Sequence, residues 1–240
     1  MASADPGNAP PGQELTLSTN GALTFELRDL RESDLPIVVE RHRQQFPDGF
    51  YSQLGSNFVH AYFRQYLRSS GSTGLVATVE GSQEIVGYLI GTVDERQHDR
   101  EMYLRSAPVL ACSGVIALAR RPAKLVVFLR TRAFRYARRY LRGVARALNR
   151  TAAESQVGEL LYIYTAPSHR QKGCGAVLLR GLVEQAQRAN TTRIDLVTEK
   201  DNATAREFYA HRGWKEAGTF TGSDGRALLR IEFTLTGTAV

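Results

Sequence analysis

The stretch TAPSHRQKGCGAVL at residues 165–178 decides the fold of this 240-residue chain, because the pattern of a buried strand enters it and the pattern of a helix leaves it. Gly173 and Gly175 allow main-chain amides to approach an anion closely, and the helix start adds unpaired N–H groups. Arg170 and Lys172 add positive charge. The stretch therefore predicts a diphosphate site, although it is neither a GxxxxGK[ST] loop nor a GxGxxG fingerprint. A basic surface turn with capping glycines would give the same local pattern.

The segments on both sides of this stretch predict a mixed α/β domain. Period-two and helical patterns alternate along the chain, with short polar turns between them. The predicted strands are 24–29, 74–80, 84–93, 159–165, 193–198, 214–220 and 227–235, and the predicted helices are 32–45, 55–67, 174–190 and 202–212. This order is compatible with a central sheet that carries helices on both faces.

The net charge of +7 comes from one segment of the chain. Between Met102 and Ala153 there are 12 Lys and Arg residues and no Asp or Glu, which leaves 7 − 12 = −5 for the rest. We therefore interpret residues 101–155 as a basic helical insertion into a domain that spans 21–240. The only cysteines, Cys112 and Cys174, form no Cys/His cluster, so no metal site is predicted.

The insertion has a helical pattern over 125–150, with apolar residues on one face and arginines on the other. Three interpretations remain open. The helix could pack its apolar face on the domain and leave its arginines in solvent, or it could make peripheral contact with an anionic membrane through 123–150. It could also bind a phosphate-rich partner through its positive charge. No nucleic-acid motif accompanies it, so no nucleic acid is expected. Residues 1–20 are expected to be a disordered leader rather than a signal peptide. We expect a cytoplasmic protein, with the inner membrane face as the alternative.

A second motif lies downstream, where residues 202–214 read NATAREFYAHRGW. Together the two motifs resemble those of the GNAT superfamily of N-acetyltransferases, VxPxxRxxGxG followed by NxxAxxFYxxxGF. The matching residues are Thr165 (for Val), Pro167, Arg170, Gly173, Gly175, Asn202, Ala205, Phe208, Tyr209, Gly213 and Trp214 (for Phe). The motifs cover about 158–216, and strand order extends the resemblance over 24–236 apart from the insertion. A weaker resemblance points to members linked to cell-envelope polysaccharide or glycolipid synthesis.

The resemblance implies a mostly antiparallel sheet that splays apart between the strands at 159–165 and 193–198. The pantetheine arm of acetyl-CoA would lie in that cleft, and its pyrophosphate would lie on the loop amides. The implied cofactor contacts are Ile163, Tyr164, Thr165, Arg170, Gln171, Lys172, Gly173, Cys174, Gly175, Ala176, Asn202 and Tyr209. The oxyanion donor would be a backbone N–H near Tyr164.

The resemblance also implies catalytic roles, each with an alternative. Tyr209 resembles the general acid for the departing thiolate, or it is a packing tyrosine. Glu159 matches a position where some members place a general base, or it is a solvated carboxylate at a strand end. Asn202 would hydrogen-bond the pantetheine arm or simply cap a helix. A helix start lowers thiol pKa values, but direct acyl transfer in the family favours a structural role for Cys174.

The function implied is direct transfer of an acetyl group from acetyl-CoA to a primary amine. An amino sugar, a small amine and a protein amino group remain open as acceptors, and the acceptor walls are expected from 46–67 and the insertion. The alternative is a non-catalytic CoA-binding module that the basic insertion tethers to a membrane or a partner.

Overall fold

A computed structural model of the chain describes residues 15–19, 22–47, 49–102, 156–222 and 225–235. In these ranges eight strands form one sheet in the order β1-β2-β3-β4-β5-β6-β8-β7. The strands are β1 (Leu15–Thr19), β2 (Ala22–Asp29), β3 (Ser72–Val79), β4 (Ile85–Thr92), β5 (Val157–Thr165), β6 (Arg193–Glu199), β7 (Lys215–Thr221) and β8 (Ala227–Thr234). Only β5 and β6 pair in parallel, so the predicted mixed and mostly antiparallel sheet is confirmed.

Helices cover both faces of this sheet, as predicted. They are α1 (Leu35–Gln45), α2 (Phe50–Leu54), α3 (Ser56–Leu67), α4 (Glu95–Glu101), α5 (Cys174–Arg188) and α6 (Ala203–Ala210). We call the two sides the α1 face and the α5 face. On the α1 face, α1 and α3 bury side chains such as Val38 and Phe63, and on the α5 face α5 and α6 bury side chains such as Leu178 and Tyr209. The sheet therefore separates two apolar cores.

The prediction of a disordered leader was wrong for Leu15–Thr19. These residues form the edge strand β1, which pairs antiparallel with β2 through Leu15↔Leu27 and Leu17↔Phe25. The reason is the alternation LTLST, which suits a strand that has one neighbour. The helices α2 and α4 were not predicted, because α2 has five residues and α4 has no apolar period. Residues 1–14 and most of the predicted basic insertion, 103–155, lie outside the described residues.

A β-bulge in β5 decides which side chains share a face. The pairing of β4 with β5 shifts register between Ile90 and Gly91, so Leu161 is the extra residue on β5. Two glycines permit this close approach. A Cβ on Gly91 would lie 2.5 Å from the Glu159 carbonyl oxygen, and a Cβ on Gly158 would lie 2.5 Å from the Thr92 carbonyl oxygen.

Because of the bulge, the alternation of β5 changes phase. Leu160 packs into the core of the α5 face, whereas Leu161, Tyr162 and Tyr164 all pack on the α1 face. Glu159 alternates with Leu160 and so lies on the α1 face together with Tyr162. Without the extra residue, Glu159 and Tyr162 would point to opposite sides of the sheet.

Among the described helices, none combines the length and the apolar character that a bilayer-spanning segment requires.

Candidate active site

A gap opens in the sheet between β5 and β6. Their parallel pairing runs from Val157↔Arg193 to Leu160↔Leu196 and then ends. Beyond that point β5 stays paired with β4 as far as Thr165, and β6 stays paired with β8 as far as Glu199. The two strands therefore diverge, which confirms the predicted splay at this place.

The backbone of β5 offers hydrogen-bonding groups to this gap. The N–H of Ala166 donates to the Val86 carbonyl oxygen at 2.8 Å, which fixes the alternation along the β4–β5 ladder. The backbone groups of Tyr164 accordingly face β4, whereas those of Ile163 and Thr165 face the gap. An amide-bearing ligand in the gap could pair with Ile163 and Thr165 as an added strand would. The expectation of an oxyanion donor near Tyr164 thus shifts to the N–H of Ile163, and Tyr164 itself is buried against Tyr88 with 5.4 Å between ring centroids.

The loop between β5 and α5 lies at the mouth of this gap. After the 3₁₀ turn Pro167–His169, Gln171 has φ 60° and Gly173 has φ 96° as the N-cap of α5. The amides of Gln171, Lys172 and Gly173 donate to no acceptor within the part of the chain that the structure describes. Unpaired amides at a helix start form a binding site for an anion such as a diphosphate.

Two basic side chains flank these amides. Lys172 is exposed, and the exposed Arg170 donates from Nε to the Thr165 carbonyl oxygen at 3.3 Å and from Nη2 to Gln45 Oε1 at 3.2 Å. Arg170 therefore connects the loop to the end of β5 and to the last residue of α1.

Cys174 begins α5 and is completely buried. Burial raises the pKa of its thiol to about 11, although a hydrogen bond with Thr165 lowers it in part. The thiol is therefore protonated at neutral pH, and its chemistry is that of a packing residue and not of a nucleophile. It packs on β4, where a Cβ placed on Gly87 would lie 2.6 Å from Sγ of Cys174.

This contact predicts that Gly87 and Cys174 are energetically coupled. We expect Gly87→Ala to lower the free energy of unfolding by about 1–3 kcal/mol through overpacking. Because the strain acts on the first turn of α5, we also expect CoA binding to weaken about 10-fold, which corresponds to about 1.4 kcal/mol. Adding Cys174→Ala removes Sγ and should recover at least half of both losses. Denaturant unfolding measures the free energy of unfolding, and calorimetric titration measures the CoA dissociation constant. If the effects of the two substitutions simply added in the double variant, the coupling would be contradicted.

Two candidate site residues of the second motif, Asn202 and Tyr209, lie at the start and near the end of α6. Asn202 accepts the N–H of Ala205 on Oδ1 at 3.1 Å, so it is the N-cap of α6. Its Nδ2 lies 3.5 Å from Thr198 Oγ1 on β6, beside the gap. α6 also packs closely against the start of α5. A Cβ placed on Gly175 would lie only 3.1 Å from Cζ of Phe208.

Tyr209 is buried in the same core as Cys174. Its ring centroid lies 5.1 Å from that of Phe208 and 5.6 Å from that of Trp214. Burial raises the pKa of the Tyr209 phenol, which keeps its proton in place at neutral pH. The hydroxyl is therefore available as a donor and not as a base.

A group of tyrosines that the sequence did not single out faces Glu159 on the α1 face. We call Tyr51, Tyr62, Tyr66 and Tyr162 the tyrosine cluster. The ring centroids of Tyr51 and Tyr62 lie 4.6 Å apart, and those of Tyr62 and Tyr66 lie 6.0 Å apart. Tyr51, Tyr62 and Tyr66 lie in the segment 46–67 that is expected to supply acceptor walls, but none of the four tyrosines was predicted individually.

The carboxylate of Glu159 acts electrostatically on three members of this cluster. Burial raises the pKa of Tyr62, Tyr66 and Tyr162, and the negative charge of Glu159 raises each of them further. Glu159, Tyr51, Tyr62 and Tyr162 are half-buried, so solvent still reaches this region.

Two histidines pack against the tyrosine cluster. The ring centroid of His42 lies 4.6 Å from that of Tyr162, and that of His98 lies 4.0 Å from that of Tyr66. Burial lowers the pKa of each histidine to about 4, so both are neutral at pH 7. No group of three His, Cys, Asp or Glu side chains suited to a metal ion occurs in the described portion of the chain.

Comparisons with known proteins agree with this geometry. Residues 35–214 match the sequence model of the Acetyltransferase (GNAT) family. The fold is similar to that of a ribosomal-protein-alanine N-acetyltransferase from Brucella melitensis, with a TM-score of 0.52, 20% identity, and coverage of 87% of this chain and 99% of that one. It is also similar to yncA from Salmonella typhimurium, a protein solved with its cofactor acetyl-CoA, with a TM-score of 0.52, 15% identity, and coverage of 90% and 96%.

A sequence relative covers a shorter region. An uncharacterized protein of Bacillus subtilis, YdhI, is 39% identical over 56 residues, which are 23% of this chain and 35% of that protein. The match therefore spans about a third of that relative's length. The resemblance to proteins of cell-envelope synthesis stays a prediction.

Proposed function

Because the chain belongs to the Acetyltransferase (GNAT) family, we propose that it transfers an acetyl group directly from acetyl-CoA to a primary amine. The observation that supports this most strongly is the gap between β5 and β6 with unpaired loop amides at its mouth. A strand edge suits the amides of a pantetheine arm, and a helix start suits a diphosphate. Both occur here within one continuous segment, from Ile163 to Ala176.

The main chain holds most of the donor in this proposal. The amides of Gln171–Gly175 bind the pyrophosphate, and Lys172 adds a full positive charge. The N–H of Ala176, which was also expected to contribute, already donates to the Gly173 carbonyl oxygen at 2.9 Å. Ile163 and Thr165 pair with the pantetheine arm, and Nδ2 of Asn202 reaches it from the β6 side. Arg170 holds the loop in place through Thr165 and Gln45.

Three groups of the chain assist the reaction. Acetyl-CoA supplies a thioester whose acetyl carbon a neutral amine attacks while the thiolate departs. Glu159 accepts the proton of the amine, and the N–H of Ile163 stabilises the negative charge that develops on the carbonyl oxygen. Tyr209, which stays protonated at neutral pH, donates its proton to the thiolate sulfur. Donor groups therefore act from the gap and the α5 face, and the proton acceptor acts from the α1 face.

Thiol release from acetyl-CoA across a panel of primary amines tests the proposal. We expect at least one amine to raise thiol release about 100-fold or more over hydrolysis, because approximation of the two reactants alone provides large accelerations. Mass spectrometry should identify the N-acetyl product. Calorimetry with CoA is the companion measurement. Binding of CoA without turnover of any amine would favour a non-catalytic CoA-binding module, and absence of CoA binding would contradict both.

A further inference from the structure

We propose that Gln45, the last residue of α1, is a positioning residue of the donor site, because its side-chain carbonyl oxygen holds the Arg170 guanidinium beside the unpaired amides of the loop between β5 and α5. The role rests on the proposed function and extends the donor site to a helix that lies outside both sequence motifs. Gln45 acts through Arg170, so its effect is confined to donors that carry a diphosphate.

The Arg170 side chain is held at two points. Its Nε donates to the Thr165 carbonyl oxygen at 3.3 Å, and its Nη2 donates to Gln45 Oε1 at 3.2 Å. A guanidinium has five N–H groups, and these two bonds are the ones that Arg170 makes within the ranges that the structure describes. Three N–H groups therefore remain for an anion on the loop, and a guanidinium binds phosphate oxygens strongly.

The end of α1 is fixed relative to β5. The N–H of Phe46 donates to the His42 carbonyl oxygen at 2.9 Å, which closes the last turn of the helix. The rings of His42 and Phe46 both pack against Tyr162 of β5, with 4.6 Å and 5.7 Å between centroids. The exposed side chain of Gln45 therefore extends from a turn that is packed on the strand leading into the loop.

Two physical effects favour the guanidinium at this place. The C-terminal end of a helix carries partial negative charge, which attracts a cation to the end of α1. Fixing a long side chain also costs conformational entropy, so an arginine that is already held loses less freedom when the donor binds. Without the Gln45 acceptor, the Arg170 side chain keeps one anchor and spreads over more rotamers in solvent.

The neighbouring residue Gln44 provides a matched control. It is also exposed, but its Nε2 donates to Glu40 Oε1 at 2.8 Å, within α1 itself. Methionine is similar to glutamine in length and in helix propensity, and it has no carbonyl oxygen. Gln45→Met and Gln44→Met therefore remove the same group from adjacent positions of one helix.

Affinity for two forms of the donor tests the role of Gln45. CoA carries the diphosphate, and pantetheine is the same thiol arm without it. We expect Gln45→Met to raise the CoA dissociation constant about 5-fold by calorimetry, in the range of one exposed hydrogen bond. Pantetheine binding, measured by ligand-observed NMR, should stay within about 2-fold. Gln44→Met should leave both unchanged. A merely structural role would weaken both ligands alike or neither, and either result would overturn the inference.

A double-mutant cycle tests whether Gln45 acts through Arg170. In the Arg170→Ala background, Gln45→Met should change the CoA dissociation constant by less than about 2-fold, because the group that it positions is gone. A loss of about 5-fold in both backgrounds would overturn the inference, since the two side chains would then act independently.

A measurement without ligand separates this role from the proposed function. NMR relaxation of the Arg170 Nε nitrogen reports how firmly the guanidinium is held in the free protein. We expect its order parameter to fall in Gln45→Met and to stay unchanged in Gln44→Met. An order parameter that is the same in Gln45→Met and in the parent protein would overturn the inference, even if amines are acetylated. A lower order parameter together with the selective loss of CoA binding supports it, even if no amine is turned over and the proposed function fails.

Discussion

Gly173→Val is expected to weaken CoA binding by at least about 100-fold, which corresponds to about 2.7 kcal/mol. Gly173 has φ 96° at the N-cap of α5, in a region that β-branched residues avoid at a cost of about 1–3 kcal/mol. The loop would relieve this strain by rotating its peptide units, and the amides of Gln171, Lys172 and Gly173 would then no longer converge on one anion. Calorimetric titration with CoA measures the loss directly.

The control for this prediction is Gly218→Val. Gly218 also has positive φ, at 140°, but it lies in the edge strand β7, where a Cβ would meet no atom within 4 Å among the residues that the structure describes. The substitution should lower the free energy of unfolding by about 1–3 kcal/mol through the same backbone strain and leave the CoA dissociation constant within about 2-fold. If Gly173→Val bound CoA as well as Gly218→Val does, the loop between β5 and α5 would not be the diphosphate site.

Tyr209→Phe is expected to lower kcat about 100-fold, at the lower end of the effect of removing a general acid. The variant keeps the ring that packs against Phe208 and Trp214, so the fold and the CoA dissociation constant should change little. Only the hydroxyl that is proposed to protonate the thiolate is lost. Steady-state kinetics with saturating amine measure kcat, and calorimetry measures the CoA dissociation constant.

The control for Tyr209 is another buried tyrosine. Tyr88→Phe removes a hydroxyl that contacts His42, and it should change kcat by no more than about 3-fold, because this hydroxyl has no proposed role in proton transfer and its loss affects mainly stability. A Tyr209→Phe variant that retained the parent kcat would leave Tyr209 as a packing residue and would require another proton donor.

The gap, the loop between β5 and α5, and α6 could be predicted from sequence because the residues that form each of them are contiguous. The strand, the loop with Gly173 and the start of α5 follow one another within residues 159–178, and their roles depend mainly on main-chain groups. Asn202 and Tyr209 lie on one short helix with a recognisable motif. Local order was therefore sufficient to place the gap, the loop and α6 in relation to one another.

The sequence predicted that 46–67 supplies acceptor walls and that Glu159 is a candidate base, but it could not predict that these groups share one face, because this depends on the register between β4 and β5. Glu159 and Tyr162 share a face only because Leu161 is an extra residue, and Tyr51, Tyr62 and Tyr66 reach them from α2 and α3. The available signals were Gly91, inside the predicted strand 84–93, and Gly158, immediately before the predicted strand 159–165, because a glycine in a strand is typical of a bulge or of close backbone approach.

Two kinds of element were missed for simpler reasons. β1 has only five residues and follows a segment rich in Pro and Gly, so its alternation was too short to outweigh the composition around it. α4 depends on Asp94, whose side chain accepts the N–H groups of Arg96 and Gln97, and on Ser70, which bonds Glu101. A polar helix held by such contacts has no apolar stripe for a periodicity argument to find.

The division of the sheet into two separately packed sides has a consequence for how this protein can diverge after gene duplication. Mutations that remodel side chains on one face leave the packed core of the opposite face intact. Under the proposed function, substitutions at positions 51, 62, 66 and 162 on the α1 face are expected to change the acceptor preference while the core of the α5 face stays packed. A mutational library confined to these four codons is the corresponding starting point for redesign.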